Sequence, residues 1–87
     1  MVSRDAFIAV YMMSNRRHGT LYVGVTSDLP TRIAQHREGE LEGFTKRHGV
    51  KHLVWFEQHD IITLAIRREK AIKKYRRDWK INLIERD

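Results

Sequence analysis

The chain has no cysteine, which excludes a disulfide framework and any thiolate metal site. It has one proline and five glycines, and no linker, internal repeat or low-complexity tract interrupts its 87 residues. No apolar run approaches the ~20 residues of a membrane-spanning helix. The short run Ala6 to Met13 follows Arg4 and Asp5, lacks a small-residue cleavage pattern, and includes residues that read as the first strand. The expectation is a complete cytoplasmic chain forming one domain over residues 1–87, with no membrane partner. A chain of this length buries only about 60% of the surface its unfolded form exposes, so a site would lie in a surface cleft. Acidic residues are also scarce. Eleven Asp and Glu stand against 17 Lys and Arg, and the net charge of +6 favours a polyanionic partner, nucleic acid before an anionic membrane.

What the chain does have begins with Ala9-Val10-Tyr11-Met12 and Thr20-Leu21-Tyr22-Val23-Gly24-Val25. Both segments are apolar and rich in β-branched residues. The polar stretch Ser14-Asn15-Arg16-Arg17-His18-Gly19 between them supplies turn formers, which predicts a hairpin. Paired strands bring Tyr11 and Tyr22 close enough to share one site, and Gly24 leaves room for another group to approach. Two tyrosines on strands are, taken alone, as well explained as sheet core.

Ser27 or Asp28 can cap a helix over 29–38 that tolerates Pro30 in its first turn and ends at Gly39. Leu29 and Ile33 define its apolar stripe, and Arg32 and His36, four apart, border that stripe and point toward the sheet margin. Each also has an ordinary reading: Arg32 as a solvated charge, His36 as a polar residue favoured by the helix dipole. The glycine-bounded stretch 43–49 has a basic centre, where Thr45, Lys46 and Arg47 are candidates for phosphate contacts. His48 and His52 lack further ligands for zinc.

Residues 52–59 predict a third strand, with Val54 and Phe56 on one face and Leu53 and Trp55 on the other. Asp60 is then expected to cap a helix whose buried side holds Ile62, Ala65, Ile66 and Ile72, with Glu69 in the middle. A carboxylate there must be paired, protonated or bound to a cation, because an unpaired buried charge costs several kcal/mol. Candidate partners are Arg32, His36, Lys73 or a metal ion. Eight basic residues between Arg67 and Lys80 suit a solvated helix face or phosphate binding, the latter through Arg68, Lys70, Lys73, Lys74, Arg76 and Arg77. Trp79, Leu83 and Ile84 are expected to pack a last helix on the sheet, although Trp79 and Tyr75 could instead stack on bases.

Assembled in order, these residues resemble the GIY-YIG nuclease superfamily over nearly the whole chain. Its first motif stands here as Ala9-Val10-Tyr11 and its second as Tyr22-Val23-Gly24; tyrosine to tyrosine is eleven residues, Tyr22 to Arg32 ten, and Arg32 to His36 four. Gly43-Phe44-Thr45-Lys46, Arg67-Arg68-Glu69-Lys70 and Trp79-Lys80 further resemble small stand-alone bacterial members. The resemblance implies an α+β fold, a three-stranded antiparallel sheet flanked by helices in the order β-β-α-β-α-α. It implies a metal-dependent endonuclease with Tyr11, Tyr22, Arg32 and His36 in the site and Glu69 holding one Mg²⁺ or Mn²⁺; the family's late asparagine would correspond to Asn82.

Hydrolysing a phosphodiester needs an in-line nucleophile and neutralisation of the charge that builds on phosphorus. Arg32 suits bidentate contact with a phosphate oxygen. Tyr11 would deprotonate or orient the water, Tyr22 would position the phosphate and His36 would assist proton transfer, with the tyrosine roles open to exchange. DNA is expected before RNA, as in repair or recombination, and shape or junctions before sequence, since no recognition domain is appended. A separate protein could supply targeting. The alternative is a nucleic-acid-binding module that keeps the scaffold without cutting.

Overall fold

The computed structural model describes residues 6–40, 43 and 47–86. Six elements follow one another: β1 (Ala9–Ser14), β2 (Leu21–Thr26), α1 (Leu29–Arg37), β3 (His52–Gln58), α2 (Ile62–Lys73) and α3 (Arg77–Glu85). The strands form one antiparallel sheet in the order β2-β1-β3. The apolar first strand is therefore central, and every residue of it is buried.

Alternation along β1 divides the core. Ala9, Tyr11 and Met13 face α1 and pack with Leu29, Val50, Ile33 and Leu53. Val10 and Met12 face the other way and pack with Val23, Ala65 and Ile72, joined by Tyr75, Leu83 and Ile84. Helix α1 thus covers one face of the sheet, while α2 and α3 cover the other.

Local chemistry explains the boundaries. In the hairpin loop the Asn15 Oδ1 accepts from the Thr20 amide at 2.9 Å, and His18 turns the chain at φ 59°. Asp28 caps α1: its carboxylate accepts the Thr31 hydroxyl at 2.7 Å and, at a longer 3.5 Å, the Thr31 amide. Phe7 fastens the preceding chain to this corner, donating to the Ser27 carbonyl and accepting from the Leu29 amide.

Three expectations need correction. Helix α2 is not capped by Asp60; the capping position is Ile61, extended at φ −128°, and no side chain bonds to the helix start. Its buried stripe is narrower than the sequence suggested. Ala65, Glu69 and Ile72 lie inward, whereas Ile62 and Ile66 remain exposed to one side of that line. The third correction is in β3, whose faces do not alternate as expected. A bulge opposite Met12 and Met13 pairs Met12 with Trp55 and Met13 with Leu53, leaving Val54 extra. Val54 and Trp55 consequently both pack on the α2 side, while Leu53 turns to the α1 side with Phe56, whose ring meets that of Phe7 at 5.7 Å. No helix among the described residues is long and apolar enough to cross a membrane.

Candidate active site

Tyr11 sits at the centre of the central strand, paired with Gly24 on one side and Phe56 on the other. Paired residues point to the same face, so the Tyr11 ring shares its side with the missing side chain of Gly24. The ring lies across that gap: a Cβ on Gly24 would stand 2.6 Å from both Tyr11 Cζ and its hydroxyl oxygen. Glycine is needed here for space, since its conformation is ordinary extended backbone.

The far end of the ring thereby reaches toward β2, the edge strand, and meets α1. The Tyr11 hydroxyl lies 3.1 Å from His36 Nε2. The three rings of Tyr11, Tyr22 and His36 pack mutually, with centroids 6.2, 5.6 and 5.5 Å apart. His36 was expected at the edge of the helix stripe, yet it is only 2% exposed. Leu29, Ile33 and His36 follow the i, i+4, i+7 spacing of a buried helix face, a signal the sequence carried and the charge pattern obscured.

Burial sorts the four residues into two layers. Tyr11 is fully enclosed at 0% exposure and His36 nearly so, whereas Tyr22 and Arg32 are half-buried and form the outer layer. Burial raises the Tyr11 pKa well above the usual phenol value, Tyr22 adds to the rise, and the neighbouring Arg32 guanidinium opposes it. For His36, burial lowers the pKa most, Arg32 lowers it further, and the Val50 backbone opposes the change.

Nδ1 of His36 is sealed from solvent and has no hydrogen-bond partner of standard geometry among the described residues. The Val50 backbone nonetheless favours the protonated ring, which is the effect of a carbonyl facing a ring N–H. On this ground we assign the proton of the neutral imidazole to Nδ1, so that Nε2 accepts the Tyr11 hydroxyl. Val50 was not singled out from the sequence, and an apolar residue acting through its backbone leaves no signal there.

A pH dependence follows. Above about pH 6.5 His36 is neutral in both folded and unfolded chains. Below it the unfolded chain takes up the proton first, because the folded pKa is lowered, so stability is lost as pH falls from that value toward the folded pKa. The thermal midpoint should drop with acidification over this window, and His36→Gln should show a shallower drop. Equal slopes for the two proteins would remove His36 as the cause.

Glu69 stands apart from these four. It lies on the inward stripe of α2, 7% exposed, across the sheet from α1, and its carboxylate pairs with Lys73 one turn on, at 2.5 Å. Of the partners open to it in the sequence, Lys73 is the one it meets. Among the described residues no group of three or more His, Cys, Asp and Glu side chains could hold a metal ion. The described residues alone thus form no zinc-type site. A buried carboxylate is a donor that a magnesium-type ion takes alongside water and phosphate oxygens, and Lys73, whose ammonium now holds it, would have to give way to such an ion.

Asn82 is exposed on α3, beside Trp79, Leu83 and Arg86. The candidate phosphate contacts are equally dispersed. Thr45 and Lys46 lie outside the described residues; Arg47, Lys70 and Lys74 are exposed. Arg68 instead fastens α2 to β3, donating to Glu57 at 3.1 Å and to the Tyr75 hydroxyl at 3.3 Å. Arg77 bonds the Gly19 carbonyl in the hairpin loop at 2.7 Å, and Arg76 lies on Trp79.

With this arrangement in place, comparison with known proteins is informative: residues 7–82 match the pattern of the GIY-YIG catalytic domain. The chain belongs to the GIY-YIG family. The match runs from just before β1 into α3 and makes the fold a nuclease-type one. Similar curated proteins are the UPF0213 proteins of Staphylococcus aureus strains Mu3, Mu50 and N315. Each is 36% identical over 67 residues, covering 77% of this chain and 82% of the relative. No solved structure gives a significant match. The family generally uses a divalent metal, and membership of it suggests a nucleic-acid substrate.

Proposed function

We propose that this GIY-YIG domain is a metal-dependent endonuclease that hydrolyses phosphodiester bonds in DNA, guided by the shape of its substrate. The observation that carries this reading is the ring cluster of Tyr11, Tyr22 and His36 with Arg32 at its rim. A structural core has no need for a phenol–imidazole hydrogen bond beneath a guanidinium.

The layering favours exchanging the tyrosine roles first expected. Tyr22, half-buried, is the phenol that meets water; Tyr11, enclosed, stands behind it. In this mechanism Arg32 holds a non-bridging phosphate oxygen bidentately and Tyr22 orients the attacking water. As the water oxygen bonds to phosphorus and the bond from phosphorus to the departing sugar oxygen breaks, the water proton passes to the Tyr22 oxygen, the Tyr22 proton to Tyr11 and the Tyr11 proton to His36 Nε2, while the departing oxygen takes a proton from solvent. The lowered pKa of His36 keeps Nε2 vacant at neutral pH, which the relay requires. The same neighbours that keep the inner phenol neutral prevent it from stopping the relay as a trapped phenolate.

Glu69 is the candidate ligand for one Mg²⁺ or Mn²⁺, which when bound would neutralise charge on the phosphate and the departing oxygen. The edge position of β2 supports this role, because no further strand separates α2 from the outer margin where the tyrosines lie. Asn82 is not needed by the reading. Branched, nicked or flapped DNA of the kind produced in repair and recombination is the proposed substrate, with a protein partner supplying any further targeting.

The enclosure of Tyr11 and the Glu69–Lys73 pair favour a second reading, a binding module that does not cut. Incubating the protein with nicked, branched, single-stranded and duplex DNA, with and without Mg²⁺ or Mn²⁺, separates the two. Metal-dependent products that disappear in Glu69→Ala are expected. Salt-sensitive binding without products would establish the module instead, since phosphate contacts release counterions.

A further inference from the structure

Trp79 departs most from expectation. It was placed in the core, but it is 47% exposed, because Leu83 and Ile84 form the part of α3 that packs on the sheet. An indole so open to water is uncommon, and here it is also held in place. The Arg76 guanidinium lies over the ring at 4.8 Å from its centroid, and Tyr75 meets it nearly perpendicularly at 5.4 Å. The ring borders an open hollow of about 650 Å³ lined by Tyr75, Asn82, Leu83, Glu85 and Arg86. Arg76 is not among the residues that line that hollow.

Three properties bear on what would enter. The indole is already immobilised by its two neighbours, so a stacking partner would cost little ordering entropy. A flat π-system entering the hollow would meet the indole that borders it. The Asn82 amide and Glu85 carboxylate offer acceptors and a donor to the edge of such a ring, and Arg86 offers a cation to an attached phosphate.

We propose that the hollow beside Trp79 on α3 is a stacking site for an unpaired nucleobase of single-stranded or branched DNA. A base within a duplex has both faces covered by its neighbours, so only an unpaired or terminal one can lie on the indole. The site is on the sheet face opposite the tyrosine cluster. A displaced strand can pass from one to the other around a body whose smallest extent is 23 Å. The inference rests on the endonuclease reading for the identity of its ligand, and it supplies what that reading lacks, a means of distinguishing branched from continuous DNA.

The test measures binding, in EDTA so that no cleavage intervenes, of a short oligothymidylate and of a blunt duplex of equal phosphate number. The single strand should quench tryptophan emission, and W79A should abolish most of that quenching because the remaining Trp55 is packed on the sheet. W79A should weaken oligothymidylate binding about tenfold and duplex binding less than about twofold, with W79F keeping most of the affinity. Far-ultraviolet circular dichroism of each variant checks the fold, which a half-exposed side chain should not control.

Equal losses on both DNAs would mark a general electrostatic or protein-docking surface and overturn the proposal, as would no loss on either. Cleavage by the wild-type protein is assayed separately in Mg²⁺. Cleavage without any W79A effect leaves the endonuclease standing and removes the stacking site. A selective W79A effect without cleavage does the reverse.

Discussion

Arg32→Ala is expected to slow metal-dependent strand cleavage by about a hundredfold to a thousandfold, the usual cost of removing one charge-stabilising group from a transition state. Two effects combine in that loss. Arg32 is the half-buried cation at the rim of the tyrosine cluster, and the proposed mechanism sets it against a phosphate oxygen. It also opposes the rise that burial imposes on Tyr11, so without it the inner phenol yields its proton still less readily. Arg32→Lys should recover only part of the rate, because an ammonium supplies charge without the planar two-point grip. Single-turnover rates at saturating protein separate this from weaker binding. An Arg32→Ala protein that cuts as fast as wild type would sink the assignment.

Gly24→Ala should cost about 1–3 kcal/mol of stability, as overpacking of a filled core does. For a chain of this size that corresponds to a fall in the thermal midpoint of about 4–8 °C per kcal/mol. The added methyl would stand 2.6 Å from the Tyr11 ring end, and that ring is fully enclosed, with His36 and Tyr22 against it. The displacement also breaks the 3.1 Å contact with His36 Nε2, so activity should fall along with stability. The cause can be isolated by pairing the change with Tyr11→Leu, whose shorter side chain vacates the contested space. The double variant should then be less destabilised than the sum of the two single changes. Additive losses, or an unchanged midpoint for Gly24→Ala alone, would contradict the steric argument.

Much of this architecture was legible before any coordinates. Apolar β-branched runs around a polar turn gave the β1–β2 hairpin, and Asp28 with Pro30 marked the start of α1. The ordered spacing of Tyr11, Tyr22, Arg32 and His36 identified the family and brought those four side chains into one cluster. What escaped was whatever depends on a neighbour distant in the chain. The bulge in β3 arises from its pairing with β1 and turns Leu53 and Val54 to faces that strict alternation would not assign. Trp79 looks like core by residue type, yet Leu83 and Ile84 are the α3 side chains that pack on the sheet, and the indole stays half-exposed. Arg68, one of a run of basic residues in sequence, is committed to Glu57 because its long side chain reaches from α2 to β3.

The sequence by itself determined the element order, the basic character and the set of groups available for phosphoryl chemistry, because these follow from local periodicity, charge and spacing. The tertiary structure decided which of those groups are enclosed and which face water. It set Tyr11 and His36 beneath Tyr22 and Arg32, and put Glu69 across the sheet on Lys73. Enclosure and electrostatic environment belong to the packed assembly. A residue's ionisation is fixed by what surrounds it in space, and adjacency in the chain records only a small part of that.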